Sequence, residues 1–285
     1  MRSTIVKAPA KVNLYLDVIN KRPDGYHNIE TVFERIDLCD WLKISVLPKP
    51  AIKITSNESI PLGPGNTAYK AAGLLIKKYN LKCGFKIEID KRIPIAAGLG
   101  GGSSDGAAVL LGICDLLNIG IKRKALSEMS AKIGADVPFF VSGHKRAWGT
   151  GIGEQLLPLK QAQNMYFLLV IPSIRIYTTS VYNSIKLILT KKVTDATILR
   201  HYSQYLTITN LKHILYNKLE DVVLPSYPVL DTIKKALNKA GAEGILVSGS
   251  GSCVYGIFSD RKEAVRAEGV LSKKGNWRLF LTRNY

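Results

Sequence analysis

The chain has 285 residues, 46% of them hydrophobic and 22% charged, enough to bury one large core or two ordinary ones. No apolar run reaches the length of a membrane span and the N-terminus carries no apolar signal-peptide core, so a cytoplasmic protein with no membrane partner is expected. The net charge of +18 is spread over scattered lysines, without an arginine-rich arm or a basic stripe interleaved with aromatics; no nucleic-acid partner is expected, and the excess would steer a polyanionic small substrate instead.

In chain order, 4–6 and 12–18 are predicted strands, the second alternating with period two, and Ala8-Pro9-Ala10-Lys11 lies between them. A turn-rich loop covers 20–27, and further strands are expected at 28–33, 41–46 and 52–55. The stretch 66–79 is helical, with Ala68, Ala71, Ala72, Leu75 and Ile76 on one face and Asn66 as N-cap. Strand 84–90 leads into a glycine-rich loop. Helix 103–118 follows, with Ala107, Leu110, Leu111, Cys114 and Leu117 on one face and Gly120 as its stop. A short helix at 124–133 ends at Gly134, and 139–160 returns to strands and glycine turns. Beyond a boundary near 160 come strand 166–171, helix 179–189 and a polar stretch, 190–212, that reads as a linker or insert. Helix 228–239 has Pro228 in its first turn. A hairpin of 245–247 and 253–258, helix 262–273 and strand 277–281 complete the chain. The mixture is α+β, with domains 1–160 and 161–285. Cys39, Cys83, Cys114 and Cys253 share no metal-ligand spacing and read as buried free thiols.

The segment from Pro94 to Ala108, Pro-Ile-Ala-Ala-Gly-Leu-Gly-Gly-Gly-Ser-Ser-Asp-Gly-Ala-Ala, carries the most information. Gly98, Gly100, Gly101 and Gly102 free the backbone to turn N–H groups toward one point, where the new helix adds its own unpaired donors. That is an anion cradle, and a nucleotide phosphate is the commonest anion for it. Ser103 and Ser104 add hydroxyls. Asp105 reads either as a carboxylate for the first-turn amides or as a contact for nucleotide-bound Mg²⁺. The segment is neither a P-loop, lacking Gly-Lys-Ser/Thr, nor a dinucleotide fingerprint. A tight turn with a serine cap is the plain alternative.

Three segments together, Ala8-Pro9-Ala10-Lys11-Val12-Asn13-Leu14, the glycine loop and Val247-Ser248-Gly249-Ser250-Gly251-Ser252-Cys253, give a chain that resembles the kinases grouped as galactokinase, homoserine kinase, mevalonate kinase and phosphomevalonate kinase. The resemblance spans nearly the whole length. It implies a two-domain small-molecule kinase fold, with an N-terminal ribosomal-protein-S5-domain-2-like part and a C-terminal ferredoxin-like α/β sandwich. It also implies ATP, with Mg²⁺ on the nucleotide. Arg22-Pro23-Asp24-Gly25-Tyr26-His27 and Ile133-Gly134-Ala135-Asp136-Val137-Pro138-Phe139-Phe140 narrow it to members acting on a cytidylated small molecule. The implied reaction is phosphorylation of the 2-hydroxyl of 4-diphosphocytidyl-2-C-methyl-D-erythritol, in non-mevalonate isoprenoid precursor synthesis.

Carried over by motif, Lys11 and Asp136 are the catalytic pair. Tyr26 and His27 hold the cytosine with an aromatic that falls on Tyr182, or on its rival Tyr177. Asn13 orients substrate hydroxyls. Asn66, Pro94 and the glycine loop through Asp105 form the ATP side, and Gly249, Ser250, Gly251 and Ser252 form a supporting loop. Read without the resemblance, Asp136 is an ordinary turn residue, Asn66 an N-cap, the tyrosines packing groups and the Gly-Ser repeat a hairpin turn. Gly106 departs from the family's alanine, at up to about 1 kcal/mol of helix propensity. Homoserine, mevalonate or a sugar as acceptor, and a nucleotide binder without catalysis, are the alternatives. A monomer or weak homodimer is expected.

Overall fold

The computed structural model describes residues 2–160, 163–185 and 204–285. Two long strands, β1 (Ser3–Lys21) and β2 (His27–Leu47), replace the pairs of shorter strands expected from the sequence pattern. In β1 the obstacle to a continuous reading is Pro9. The neighbour β8 (Tyr216–Asn217) pairs only with Tyr15 and Leu16, so at Pro9 the missing N–H is tolerated. In β2 the apolar alternation is broken by Glu34, Arg35 and Asp40, which are nevertheless buried.

The chain falls into two compact units: Met1–Ala10, Leu38–Ile95 and Gly100–His144 form the first; Lys11–Asp37, Ala96–Leu99 and Lys145–Tyr285 form the second. This differs from a single cut near 160, because β1 and β2 each run through both.

In the first unit β4 (Gly84–Asp90) pairs in parallel with β3 (Ile52–Ser56) and antiparallel with the end of β2, Trp41 facing Asp90 and Leu47 facing Gly84. Four helices complete it: α1 (Thr67–Tyr79), α2 (Gly101–Leu116), α3 (Arg123–Ser130) and α4 (Val137–Ser142). Leu42, Ile44, Phe85 and Ile87 of the sheet are fully buried, as are Ala68, Ala71, Ala72 and Leu75 of α1 and Val109, Leu110 and Ile113 of α2. A Cβ on Gly106 would lie 3.3 Å from Thr67 Cβ and O. Its glycine therefore serves the close approach of α1 and α2, which offsets the propensity cost. Helix α4 stands where a strand and turns are expected. Pro138 suits a first turn, and the helix is too short to show a period.

The second unit joins β5 (Arg146–Thr150) to the start of β2 and β6 (Gln155–Pro158) to β5. It also holds an antiparallel sheet in the order β11-β7-β10-β9, made of β7 (Tyr166–Ile171), β9 (Gly244–Val247), β10 (Val254–Phe258) and β11 (Arg278–Arg283). Helix α7 (Pro228–Lys239) precedes β9, and α8 (Arg261–Leu271) links β10 to β11. This β-α-β-β-α-β succession is ferredoxin-like, as expected. Leu168, Val170, Val254, Ile233, Leu237 and Leu271 share its core. Helix α5 (Thr178–Ser184) closes before the expected end; 186–189 and 190–203 lie outside the described residues. The rest of the expected linker includes a 3₁₀ helix, Ile208–His213. Helix α6 (Glu220–Ser226) and β8 had no clear pattern in the sequence. All four cysteines are free; Cys114 and Cys253 are buried as expected, but Cys39 and Cys83 are only half-buried.

Glu34 is buried 3.6 Å from the Arg146 guanidinium. Burial pushes its carboxyl up from 4.5 to about 7, against the pull of Arg146 and of a hydrogen bond from Asn284. The native state then holds the Glu34 proton where the unfolded chain has lost it. Its contribution to unfolding free energy therefore falls as pH rises from about 4.5 to 7. Denaturant melts of wild type and Glu34→Gln across this range should give a difference that shifts against wild type with rising pH. A pH-independent difference would contradict the assignment.

Candidate active site

Gly98 shows why the loop needs glycine. Its φ is +77°, and a Cβ there would stand 2.0 Å from the Ser248 carbonyl oxygen. The loop is pinned by three bonds: Ser248 Oγ donates to Gly98 O (3.0 Å), Cys253 N to Ala97 O (3.2 Å) and Lys11 N to Leu99 O (3.0 Å). Residues 96–99, β1 from Lys11 onward and the 248–253 turn are thus one assembly within the second unit.

Lys11 sits at the middle of it. Its side chain is buried, with Nζ donating to Asn13 Oδ1 at 2.7 Å and lying 5.5 Å from the centre of the Phe33 ring. Asn13 is itself fixed: Nδ2 donates to Thr31 Oγ1 (2.8 Å), which donates to Tyr15 O (2.7 Å), and Tyr255 Oη donates to Asn13 O (2.7 Å). The bare Cα of Gly249 faces this pair; a Cβ would come within 3.4 Å of Asn13 Oδ1 and 3.8 Å of Lys11 Nζ. Four of the sequence-selected elements, Lys11, Asn13, Gly98 and the Gly249–Ser252 turn, are therefore brought together. The turn is more than a hairpin connection. Asn217 Nδ2 donates to Val247 O (2.9 Å) and Gly249 O (2.7 Å), and Thr178 Oγ1 and Ser250 Oγ are 2.9 Å apart. Asn217 was not singled out by the sequence; an isolated asparagine thirty residues from its partners gives no local signal.

Of the aromatic candidates, Tyr182 and His27 are in contact, with ring centroids 5.4 Å apart and tilted by 35°. Burial, and then the charge of Lys21, lower the His27 pKa, which favours a neutral imidazole with one donor and one acceptor nitrogen. Tyr26 and Tyr177 project into solvent, at 60% and 66% exposure. Tyr177 precedes the first turn of α5 and Tyr182 lies within the helix, in contact with His27.

In the first unit α2 starts at Gly101, two residues before the expected start, behind Gly100 at φ +69° and without a side-chain cap. Its first-turn N–H groups receive no side-chain cap, an arrangement that suits an anion. This earlier start changes where Ser104 and Asp105 stand in the helix. Ser104 and Asp105 fall beyond the first turn and are buried. The Ser104 hydroxyl has no hydrogen-bond partner, and Asp105 caps no amide: it pairs with Lys91 Nζ at 2.9 Å. Burial and the like charge of Asp40 raise the Asp105 pKa to about 7 against the opposing pull of Lys91. Ser103 is only half-buried, and its Oγ is 3.8 Å from where a Cβ on Gly134 would lie. The segment leading to Asp136 thus runs beside the first turn of α2. Asp136 is half-buried just ahead of α4, in front of the buried Val137, Pro138, Phe139 and Phe140.

Asn66 is an N-cap with its amide committed: Oδ1 accepts from Ala68 N (2.8 Å) and Nδ2 donates to Pro61 O (2.7 Å). Pro94 is buried, and exposed Gly102 accepts a hydrogen bond from Thr67 Oγ1. Among the described residues no group of three or more His, Cys, Asp or Glu side chains could hold a metal ion, and no helix is long and apolar enough to cross a membrane.

Two family models match the chain: "GHMP kinases N terminal domain" over residues 66–144 and "GHMP kinases C terminal" over 205–276. They fall on either side of residue 160. The 4-diphosphocytidyl-2-C-methyl-D-erythritol kinase of Geobacter metallireducens is 42% identical over 284 residues, 99% of each chain. Its namesake from Geobacter sp. (strain M21) is 41% identical over 97% of each. A crystal structure of 4-(cytidine 5'-diphospho)-2C-methyl-D-erythritol kinase superposes with a TM-score of 0.80 at 31% identity, covering 99% of this chain and 100% of that one. Homoserine kinase from Cytophaga hutchinsonii, at 19% identity and a TM-score of 0.77 over 100% of this chain and 95% of its own, shares the fold.

Proposed function

The chain belongs to the GHMP kinases, among the 4-diphosphocytidyl-2-C-methyl-D-erythritol kinases, and we propose that it transfers the γ-phosphoryl group of ATP to the 2-hydroxyl of that cytidylated substrate, giving the 2-phosphate and ADP. The observation that carries this reading is the Lys11–Asn13 pair, buried against the glycine faces of Gly249 and the Gly98 loop.

Phosphoryl transfer asks a protein for position and charge. The uncapped first turn of α2 suits the ATP phosphates, and Mg²⁺ would arrive on the nucleotide, where it neutralises phosphate charge. Asp136 takes the proton of the substrate 2-hydroxyl as general base. Lys11 offsets charge on the transferred group. Asn13 orients the substrate hydroxyls, and transfer is in-line, without a phosphoenzyme. Tyr26 and Tyr182 offer flat faces to the cytosine, and the neutral His27 matches its donor and acceptor edge. Small-molecule chemistry of this kind needs neither nucleic acid nor membrane; the enzyme acts as a cytoplasmic monomer or weak homodimer.

A stacked base is worth roughly 1–3 kcal/mol. Tyr182→Ala is therefore expected to raise KM for the cytidylated substrate by about tenfold to a hundredfold, leaving KM for ATP in place. Steady-state kinetics with each substrate varied in turn reads this directly, and an unchanged acceptor KM would remove Tyr182 from the cytosine site.

A further inference from the structure

Lys91 belongs to none of the motifs that carry the function, yet it is the most tightly enclosed cation of the first unit. Its Nζ lies 2.5 Å from Asp40 Oδ2 and 2.9 Å from Asp105 Oδ2, and the three side chains are 4%, 0% and 4% exposed. Asp40 is held in turn: its Oδ1 accepts from Arg92 N (2.6 Å) and Ile93 N (2.8 Å). The ammonium sits directly against α2, because a Cβ on Gly101 would come within 3.2 Å of Lys91 Nζ and 3.0 Å of Ile93 Cγ2. Three elements therefore meet at one buried charge: β2 through Asp40, the segment after β4 through Lys91 to Ile93, and the opening of α2 through Gly101 and Asp105.

A buried ion cluster is a costly way to gain stability, since a well-packed apolar group in the same place often does as well. Its advantage is geometric. Charge-assisted hydrogen bonds fix both angle and distance, and this cluster fixes them at the first turn of α2, the turn proposed above for the ATP phosphates. Asp105 Oδ1 and Ser104 Oγ, just beyond this turn, are buried without a hydrogen-bond partner.

We infer that Lys91, clamped between Asp40 and Asp105, is a positioning residue for the ATP-phosphate site, holding the first turn of α2 in register with the glycine loop. The inference rests on the kinase reading above. A merely structural cluster would change the fraction of folded enzyme, and hence kcat per mole of protein, while leaving both KM values alone. A positioning role raises KM for ATP selectively.

The test is the double variant Lys91→Met/Asp105→Leu, which removes the cation together with one of its carboxylates, beside the milder Asp105→Asn. Thermal melts, ATP binding by calorimetry and steady-state kinetics are measured on the full chain. The double variant is expected to melt cooperatively and to show KM for ATP raised by about tenfold or more, in line with the effect of displaced contacts on a reacting group, with KM for the acceptor within twofold. Asp105→Asn should give a smaller rise of the same kind, and it decides the matter if the double variant does not fold. A folded variant with the wild-type KM for ATP would overturn the inference while leaving the kinase reading intact. Failure of the wild-type chain to bind ATP would overturn both.

Discussion

Asp136→Asn is expected to lower kcat by about 10²–10⁴-fold, the range for a missing general base, while ATP binding persists. The amide has nearly the shape of the carboxylate, so packing ahead of Val137 and Pro138 is preserved; what is lost is the capacity to take a proton from the acceptor hydroxyl. The half-buried position of Asp136 at the head of α4, with the preceding Gly134 beside Ser103, suits a group that meets substrate next to the first turn of α2. Single-turnover kinetics and nucleotide titration on the same preparation separate the two effects. Turnover within a fewfold of wild type would take the base role from Asp136.

Gly98→Ala is the second large effect expected. The added methyl group would stand 2.0 Å from the Ser248 carbonyl oxygen, which accepts a hydrogen bond from Gly251 N (2.9 Å), at a φ of +77°. Overpacking and a left-handed alanine together cost about 2–4 kcal/mol. Relief comes only by lifting residues 96–99 off Ser248, which breaks the bonds to Gly98 O, Ala97 O and Leu99 O. Because the last of these is made by the Lys11 amide, the damage reaches the Lys11–Asn13 pair, and activity should fall along with the melting temperature. Gly120→Ala, with nothing within 4 Å of the added methyl, is the matched control and should change neither. Equal behaviour of the two variants would show that the loop is not pinned in this way.

The legible parts of the fold are those with a strong local signal. Helix α1 has its apolar face and an Asn66 cap, β4 its alternation, and α7 its proline start; each has observed bounds within a residue of expectation. The glycine loop misled in one respect. Glycines are poor helix formers, so the helix was expected from Ser103, whereas Gly101 and Gly102 already belong to it. Two residues are more than half a turn, enough to change which way Ser104 and Asp105 face. The clamp on Lys91 had no signal at all, because Asp40 is 51 positions away and the pairing exists only once β2 and β4 are joined. The same holds for Asn217, and for the continuous β2, whose buried charges mimic a loop. The motif residues Lys11, Asn13 and Gly249 were found through resemblance rather than local chemistry, and the fold gives them a common place within the second unit.

The central claim concerns the acceptor, and ADP release measures it most directly. The chain, ATP and Mg²⁺ are incubated with 4-diphosphocytidyl-2-C-methyl-D-erythritol, and in parallel with mevalonate, homoserine and the substrate stripped of its cytidine. ADP formed in step with the 2-phosphate of the cytidylated compound, with kcat/KM falling steeply for the other three, is the expected result. Comparable turnover of mevalonate or homoserine, or indifference to the missing cytidine, would contradict it.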